Sequence, residues 1–286
     1  MKARPIRWLN GYLLLAPGTI VLASALAAPV ALLLAYSFWT QHGFAVDTHF
    51  TLARYAAAIA DPRYLVILLR SLGIAAVATT AAILLAYPVA WFIAFRARAK
   101  YLWLLLVTIP FWTSYLLRVF AWKVILGYNG VINSALISLH LISAPLPLLL
   151  YNPWAVVLVL VHGYAAFAVL PIYVALEKID PALLEAAADL GDSPVRRFLR
   201  VTLPLSIGGV TAAFILVFIP ATGDYVTPSL VGGPNGLMVA NLIQAQFGQA
   251  DNWPFGAALA VAAIAGAAIC SLFAATGARA AVGALR

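Results

Sequence analysis

Apolar residues run along this chain in long unbroken blocks, and the polar residues are gathered into the gaps between them. The blocks fall at about 11–38, 65–95, 101–126, 153–176, 204–222 and 254–278, each close to the ~20 residues that a helix needs to cross a bilayer. The pattern predicts an all-α polytopic membrane protein with six transmembrane helices, forming a single transmembrane domain over 1–286. The first block is long, and Pro17 and Pro29 inside it predict a kinked or tilted helix. It opens with basic residues and contains Ala23-Ser24-Ala25, as a cleaved leader would. Its apolar stretch, however, runs on to an interfacial anchor at Trp39, so it reads as an uncleaved helix.

The gaps differ from one another. Residues 39–64 are mixed and predict a short surface helix around Leu52–Ala60. Residues 127–152 carry three prolines or glycines before Pro147 and no charge, which fits a half-buried or re-entrant loop. Residues 223–253 are too polar to span and too apolar to be fully solvated. Irregular backbone at membrane depth persists only where protein covers it or water lines it, so both segments are candidates for the mouth of a pathway.

The fourth gap, 177–203, is the most polar passage. From Glu177 to Pro204 it holds Glu177, Asp180, Glu185, Asp189 and Asp192 with Lys178, Arg196, Arg197 and Arg200. Asp180 is placed to cap a helix whose first residue is Pro181, and Gly191 to end it. Ser193 and Pro194 restart a second short helix in the same way. The sequence predicts a compact helix–turn–helix outside the bilayer, suited to a soluble partner. Glu185-Ala186-Ala187, then Gly191, then Val201-Thr202-Leu203-Pro204 resembles the EAA loop of permease subunits in binding-protein-dependent ABC importers, and every spacing matches.

Charge then orients the chain. Lys2, Arg4, Arg7, Arg96, Arg98, Lys100, the four basic residues of the island, Arg279 and Arg286 all fall on one alternating set of loops, twelve of the seventeen Lys and Arg. By the positive-inside bias both termini and the island are cytoplasmic. The net charge of +8 is therefore a topological signal and no footprint for nucleic acid. One cysteine, Cys270, excludes a disulfide framework, and the scattered His42, His49, His140 and His162 offer no metal set. His162, within the fourth block, reads as a packed helix residue rather than a proton relay. No Gly-x-x-x-x-Gly-Lys-Ser/Thr occurs, so this chain has no P-loop. The apolar blocks offer no facing carboxylate pair, and the chain does not read as an enzyme.

The candidate chemistry sits in the third and fifth blocks. Phe111, Trp112 and Tyr115 follow Pro110, while Phe218, Asp224 and Tyr225 bracket Pro220 and Gly223. Aromatic faces attract cations and a carboxylate adds charge recognition, an arrangement suited to amines. Packing and interfacial belts use the same residues, and composition alone leaves the two open. Lys123 reads as snorkelling to the interface. Arg118 needs a partner at membrane depth, and Asp224 is the candidate.

Beyond the EAA loop, PFWTSYLLR at 110–118, GVINSAL at 130–136, LPIYVALEKIDPALLEAAADLG at 170–191, FIPATGDYVTPSLVGG at 218–233, NLIQAQF at 241–247 and WPFGAA at 253–258 resemble the spermidine/putrescine permease family. The likeness covers most of the chain from about residue 50 and is nearer the first permease of such systems than the second. It implies the type I ABC importer permease fold, in the bacterial inner membrane, and import of a polyamine or related amine. Opines, aminophosphonates and amino-acid-like solutes are the alternatives; a stand-alone secondary transporter is a more distant one. It implies a second permease (a heterodimer), two copies of an ABC ATPase, a solute-binding protein and surrounding lipid as partners. ATP and Mg would be bound by the ATPase and no cofactor by this chain. Within the resemblance, Glu185 faces a groove on the ATPase, Ala186 and Ala187 allow close packing, Gly191 supplies the turn, and Asp180, Pro181 and Pro204 frame the coupling element. Phe111, Trp112, Tyr115, Phe218, Asp224 and Tyr225 are the pathway candidates.

Overall fold

Three long helices, built from the second, fourth and fifth apolar blocks, hold the molecule together. They are α3 (Pro62–Phe95), α7 (Pro153–Glu177) and α10 (Leu203–Thr222) in a computed structural model that describes residues 7–43 and 45–284. The reason they approach closely is written in α3, whose buried face is a run of small residues: Ala75, Ala78, Ala82, Ala86, Ala90 and Ala94. Lipid tails are as apolar as leucine, so helices in a membrane associate through such close packing rather than through burial of grease. The α7–α10 crossing is tighter still. A Cβ on Gly209 would lie 2.5 Å from both the Ala175 Cβ and the Pro171 carbonyl oxygen, so only glycine fits there.

Five helices among the described residues are long and apolar enough to cross a membrane, or six if one bent pair counts as a span. α1 (Arg7–Ser37) packs on α13 (Trp253–Ala284) and leaves most of its surface uncovered. Pro17 and Pro29 lie inside α1 as the sequence predicts. Lys2, Arg4 and Arg286, which entered the charge argument, lie outside the described residues.

The third span departs from the expected single helix. It is α4 (Lys100–Thr108), a 3₁₀ turn over Ile109–Trp112, and α5 (Tyr115–Leu126), followed by α6 (Val131–Ser138), with a bend of 83° at the break. Pro110 lies in the 3₁₀ turn. It cannot donate a backbone hydrogen bond, and it disfavours the helical conformation of the residue before it.

One end of the bundle gathers the island. Lys100 Nζ meets Glu177 Oε1 at 3.0 Å, tying the start of α4 to the end of α7. Then come α8 (Pro181–Asp189), α9 (Pro194–Arg197) and a π turn over Phe198–Thr202 that runs straight into α10. The second short helix expected from Ser193 and Pro194 starts where predicted but does not stop; Pro194–Thr222 is one continuous span. Pro204 therefore sits within that helix instead of beginning it. The π turn ahead of it widens the backbone where the missing N–H would otherwise interrupt the ladder.

The opposite end holds a hairpin of β1 (Thr40–His42) and β2 (Ala45–Asp47), the predicted surface helix as α2 (Ala53–Ala60), and α6. The hairpin is a small exception to the all-α expectation. Gln41 pins it: its side-chain amide donates to the Asp251 carbonyl and its Oε1 accepts from the Trp253 N–H at 3.1 Å. Between α10 and α13, a π turn over Pro228–Gly232, α11 (Gly233–Gly236) and α12 (Val239–Gly248) fold back against the bundle. Gly232 and Gly236 lie against Val156 near the start of α7, and Arg70 and Ser71 of α3 hold Leu237 O and Val239 N at 3.0 and 2.7 Å. This is protein-covered irregular backbone of the kind the sequence predicts over 223–253.

Candidate functional site

Two constellations carry chemistry. The first is the elbow of the island. Asp180 caps α8, its carboxylate accepting from the Ala182 N–H at 2.9 Å with Pro181 at the first helical position. At the other end the Gly191 N–H donates to Ala188 O at 2.9 Å and the Asp192 N–H to Ala187 O at 3.0 Å. These two bonds form a Schellman stop, which requires a left-handed residue between them, and Gly191 has φ +85°. Arg200 Nη1 on the run-on helix meets Asp192 Oδ1 at 3.2 Å. The elbow is thus attached to α10 by a short turn on one side and an ion pair across it.

Glu185 and Ala186 are exposed on α8 together with Leu183, as are Leu190 just after α8 and Val195 on α9. Leu190 keeps 87% of its surface. Ala187 is the exception among the expected contact residues. It is buried against its own chain, because its carbonyl belongs to the helix stop and its side chain lies on the inner face. A small residue there lets α8 close on the bundle.

The second constellation lies at the far end of α10, where the turn after it meets α5 and α7. Asp224 is 7% exposed. Its Oδ2 accepts from the Tyr115 hydroxyl and, at 2.7 Å, from the Thr227 hydroxyl; its Oδ1 accepts from the Val226 and Thr227 N–H groups at 2.9 and 3.2 Å. Four donors converge on two oxygens, as suits a carboxylate that only accepts. Asp224 therefore caps the turn that follows α10 and ties it to the start of α5. Gly163 makes room for this, since a Cβ there would meet the Tyr115 ring at 3.3 Å.

The expected Arg118–Asp224 pair does not form. Asp224 is filled by donors from its own loop and from Tyr115, while Arg118 Nη1 turns to the Gly163 carbonyl at 3.4 Å and its Cζ lies 5.6 Å from the Tyr115 ring centroid. The other pathway candidates separate. Phe111 lies edge-on to Phe167, with centroids 3.9 Å apart. Trp112 stands 85% exposed at the break, and Tyr225 is about half exposed. Phe218 has no exposed surface and stacks on Phe214, so it packs the core and presents no face to a solute. His162 meets Trp122 edge-on at 5.4 Å but stays exposed on the outside of α7, so it is less packed than its reading expected.

Sequence reasoning missed Tyr164, Phe167 and Thr227. Tyr164 lies 6.0 Å from both Tyr115 and Phe167, so Phe111, Phe167, Tyr164 and Tyr115 form one aromatic run ending at Asp224. The signal was available: Tyr164 and Phe167 are three apart on one helix and share a face. Asp224 and Thr227 likewise have the spacing of a helix cap and its third residue.

Known proteins resemble this chain over most of its length. Residues 78–279 match the family described as binding-protein-dependent transport system inner membrane component. The chain is similar to the spermidine/putrescine transport system permease protein PotB of Escherichia coli strain K12, at 38% identity over 82% of this chain and 85% of that one. It is similar to the protein of the same name from Haemophilus influenzae, at 39% identity over 82% of each chain. The inner membrane ABC transporter permease protein YdcU of E. coli K12 is 35% identical, over 81% of this chain and 78% of that one. Among solved structures, a chain of a bacterial ABC transporter that imports the acidic polysaccharide alginate superposes with a TM-score of 0.67 at 18% identity, covering 95% of both chains.

Proposed function

The chain belongs to the inner-membrane components of binding-protein-dependent transport systems, and on that premise we propose that it is one of two permeases moving a polyamine or related amine inward. A solute-binding protein delivers the solute, and two copies of an ABC ATPase drive transport from the cytoplasmic side. The observation that carries the reading is mechanical. One continuous helix, Pro194–Thr222, joins the exposed Glu185–Gly191 elbow to the turn that Asp224 caps. A stiff element between a docking loop and a membrane-depth polar cluster is what alternating access requires. ATP-driven closure of the ATPases pushes the elbow, and α10 carries that displacement to α5 through Asp224 and Tyr115.

The polyamine-type assignment is supported by relatives that carry that name at 38–39% identity and by the aromatic run. A cation on such a face gains about 0.5–2 kcal/mol. Trp112 and Tyr225, both presenting exposed rings, complete the path against the second permease, with Asp224 supplying negative potential behind Tyr115. The decisive experiment purifies a tagged chain and reconstitutes what comes with it. A second permease and a Walker-motif ATPase should accompany it, and vesicles given the solute-binding protein and ATP should accumulate labelled putrescine or spermidine. Uptake driven by an ion gradient with no ATPase present would refute this reading.

The proposal places both termini and 96–100 in the cytoplasm. A cysteine at Ala97, in a background with Cys270 replaced, should resist an impermeant thiol reagent in intact cells and react after permeabilisation. Equal labelling in both states would reverse the topology.

A further inference from the structure

Arg118, half-buried on α5 against α7, is a charge without a counter-ion. Its Nε is buried with no hydrogen-bond partner, and its one hydrogen bond is the long contact to Gly163 O. Among the described residues no carboxylate lies within ion-pair distance of it, and Asp224 is already filled. Gly163 is ten residues from the start of α7, about 15 Å along the axis, which is too deep for a lipid phosphate to reach. A bare charge at such depth is expensive and marks function. What the guanidinium does have is the face of Tyr115, the last ring of the aromatic run.

We propose that Arg118 is a tethered cation that occupies the amine position on Tyr115 in the resting state and so closes the path to cations when no transport cycle is under way. The proposal rests on the reading that solute passes this aromatic run. A fixed positive charge in a narrow membrane path is an electrostatic barrier to cations. A guanidinium already seated on the ring also denies it to a passing amine. The barrier has somewhere to go. A hollow of about 250 Å³ opens beside Arg118 between α3, the α4–α5 break and α7, walled by Val89, Val107, Pro110, His162 and Ala166. Tyr115 and Arg118 share α5, and Tyr115 is tied to Asp224 while the guanidinium is held by Gly163 O on α7, so a movement of α10 that draws α5 along α7 breaks the Gly163 contact and frees the guanidinium to swing off the ring into the hollow. The seat then opens only when the ATPases drive that movement.

The test measures leak, not transport. The assembled complex is placed in vesicles without ATP or solute-binding protein, and entry of labelled tetramethylammonium, which does not cross lipid unaided, is followed. Wild type should be tight. Arg118→Gln should raise entry about tenfold, and Arg118→Lys, which keeps a cation, should stay within about twofold of wild type. In Arg118→Ala, millimolar ethylguanidinium should suppress the leak, whereas neutral ethylurea should not. Unchanged entry in an assembled Gln or Ala variant would overturn the proposal, as would equal rescue by ethylurea. Loss of assembly in the Gln and Ala variants with assembly kept in Lys would also overturn it, by showing a structural charge. The probe is independent of the natural solute. Absent ATP-driven putrescine uptake in wild type would defeat the amine reading, while the leak measurement judges Arg118 separately.

Discussion

Gly191→Val should abolish ATP-driven uptake to below about a tenth of wild type while leaving the chain inserted in the membrane. The effect comes from backbone conformation and not from crowding. A Cβ at Gly191 meets nothing within 4 Å, but φ is +85°, a region that costs an L-residue roughly 1–2 kcal/mol and a β-branched one more. Relieving that strain breaks the Schellman pair to Ala187 and Ala188 and swings α8 relative to the helix beginning at Pro194. The Arg200–Asp192 contact cannot hold the elbow alone, because an exposed ion pair contributes no more than about 1 kcal/mol. Asn, which tolerates the left-handed region, supplies the control. Uptake should rank Gly191, then Asn, then Ala, then Val, and retention of the ATPase on purification should follow the same order. Wild-type uptake in the Val variant would remove the elbow from the coupling mechanism.

The spans were legible because a bilayer leaves a sequence little choice. Blocks of about 20 apolar residues, loop charge bias and a capped polar island are each direct physical constraints. The elbow was legible down to its caps, since Asp180, Pro181 and Gly191 act through local backbone geometry. What escaped was decided by distant contacts. Pro110 announces a disturbed helix, but whether it kinks or breaks the span depends on where α5 is held, and Gly163 and Asp224 hold it. Pro204 looked like a helix start because proline commonly occupies that place; the π turn that lets a helix run through it leaves no obvious mark in composition. Asp224 looked like a counter-ion for Arg118 because both were charges at similar depth. Its own neighbours Val226 and Thr227 were closer competitors, and a short-range cap prevailed over a longer-range pair. Three-residue strands such as Thr40–His42 and Ala45–Asp47 are too short for alternation to show.

The largest effect expected at membrane depth is at Asp224, where two substitutions should separate. Asp224→Ala removes the acceptor for the Tyr115 and Thr227 hydroxyls and for two backbone N–H groups at once. Each buried orphan costs about 1–3 kcal/mol. Complex recovery should fall severely and uptake with it. Asp224→Asn is nearly isosteric. Its Oδ1 can keep both N–H groups, and its amide can donate to the two hydroxyls, which then serve as acceptors. Assembly and basal ATP hydrolysis should therefore survive. What the amide removes is the negative charge behind Tyr115, which enriches the ring face that an amine would meet. Given a cation–π contribution of about 0.5–2 kcal/mol, the KM for amine uptake should rise about three- to tenfold with little change in maximal rate. Tyr115→Phe, which keeps the ring but loses the hydroxyl, should raise KM in the same direction. An unchanged KM in an assembled Asp224→Asn complex would leave Asp224 a purely structural cap. Loss of assembly in that variant would mean that the charge itself holds α5 to the α10 turn.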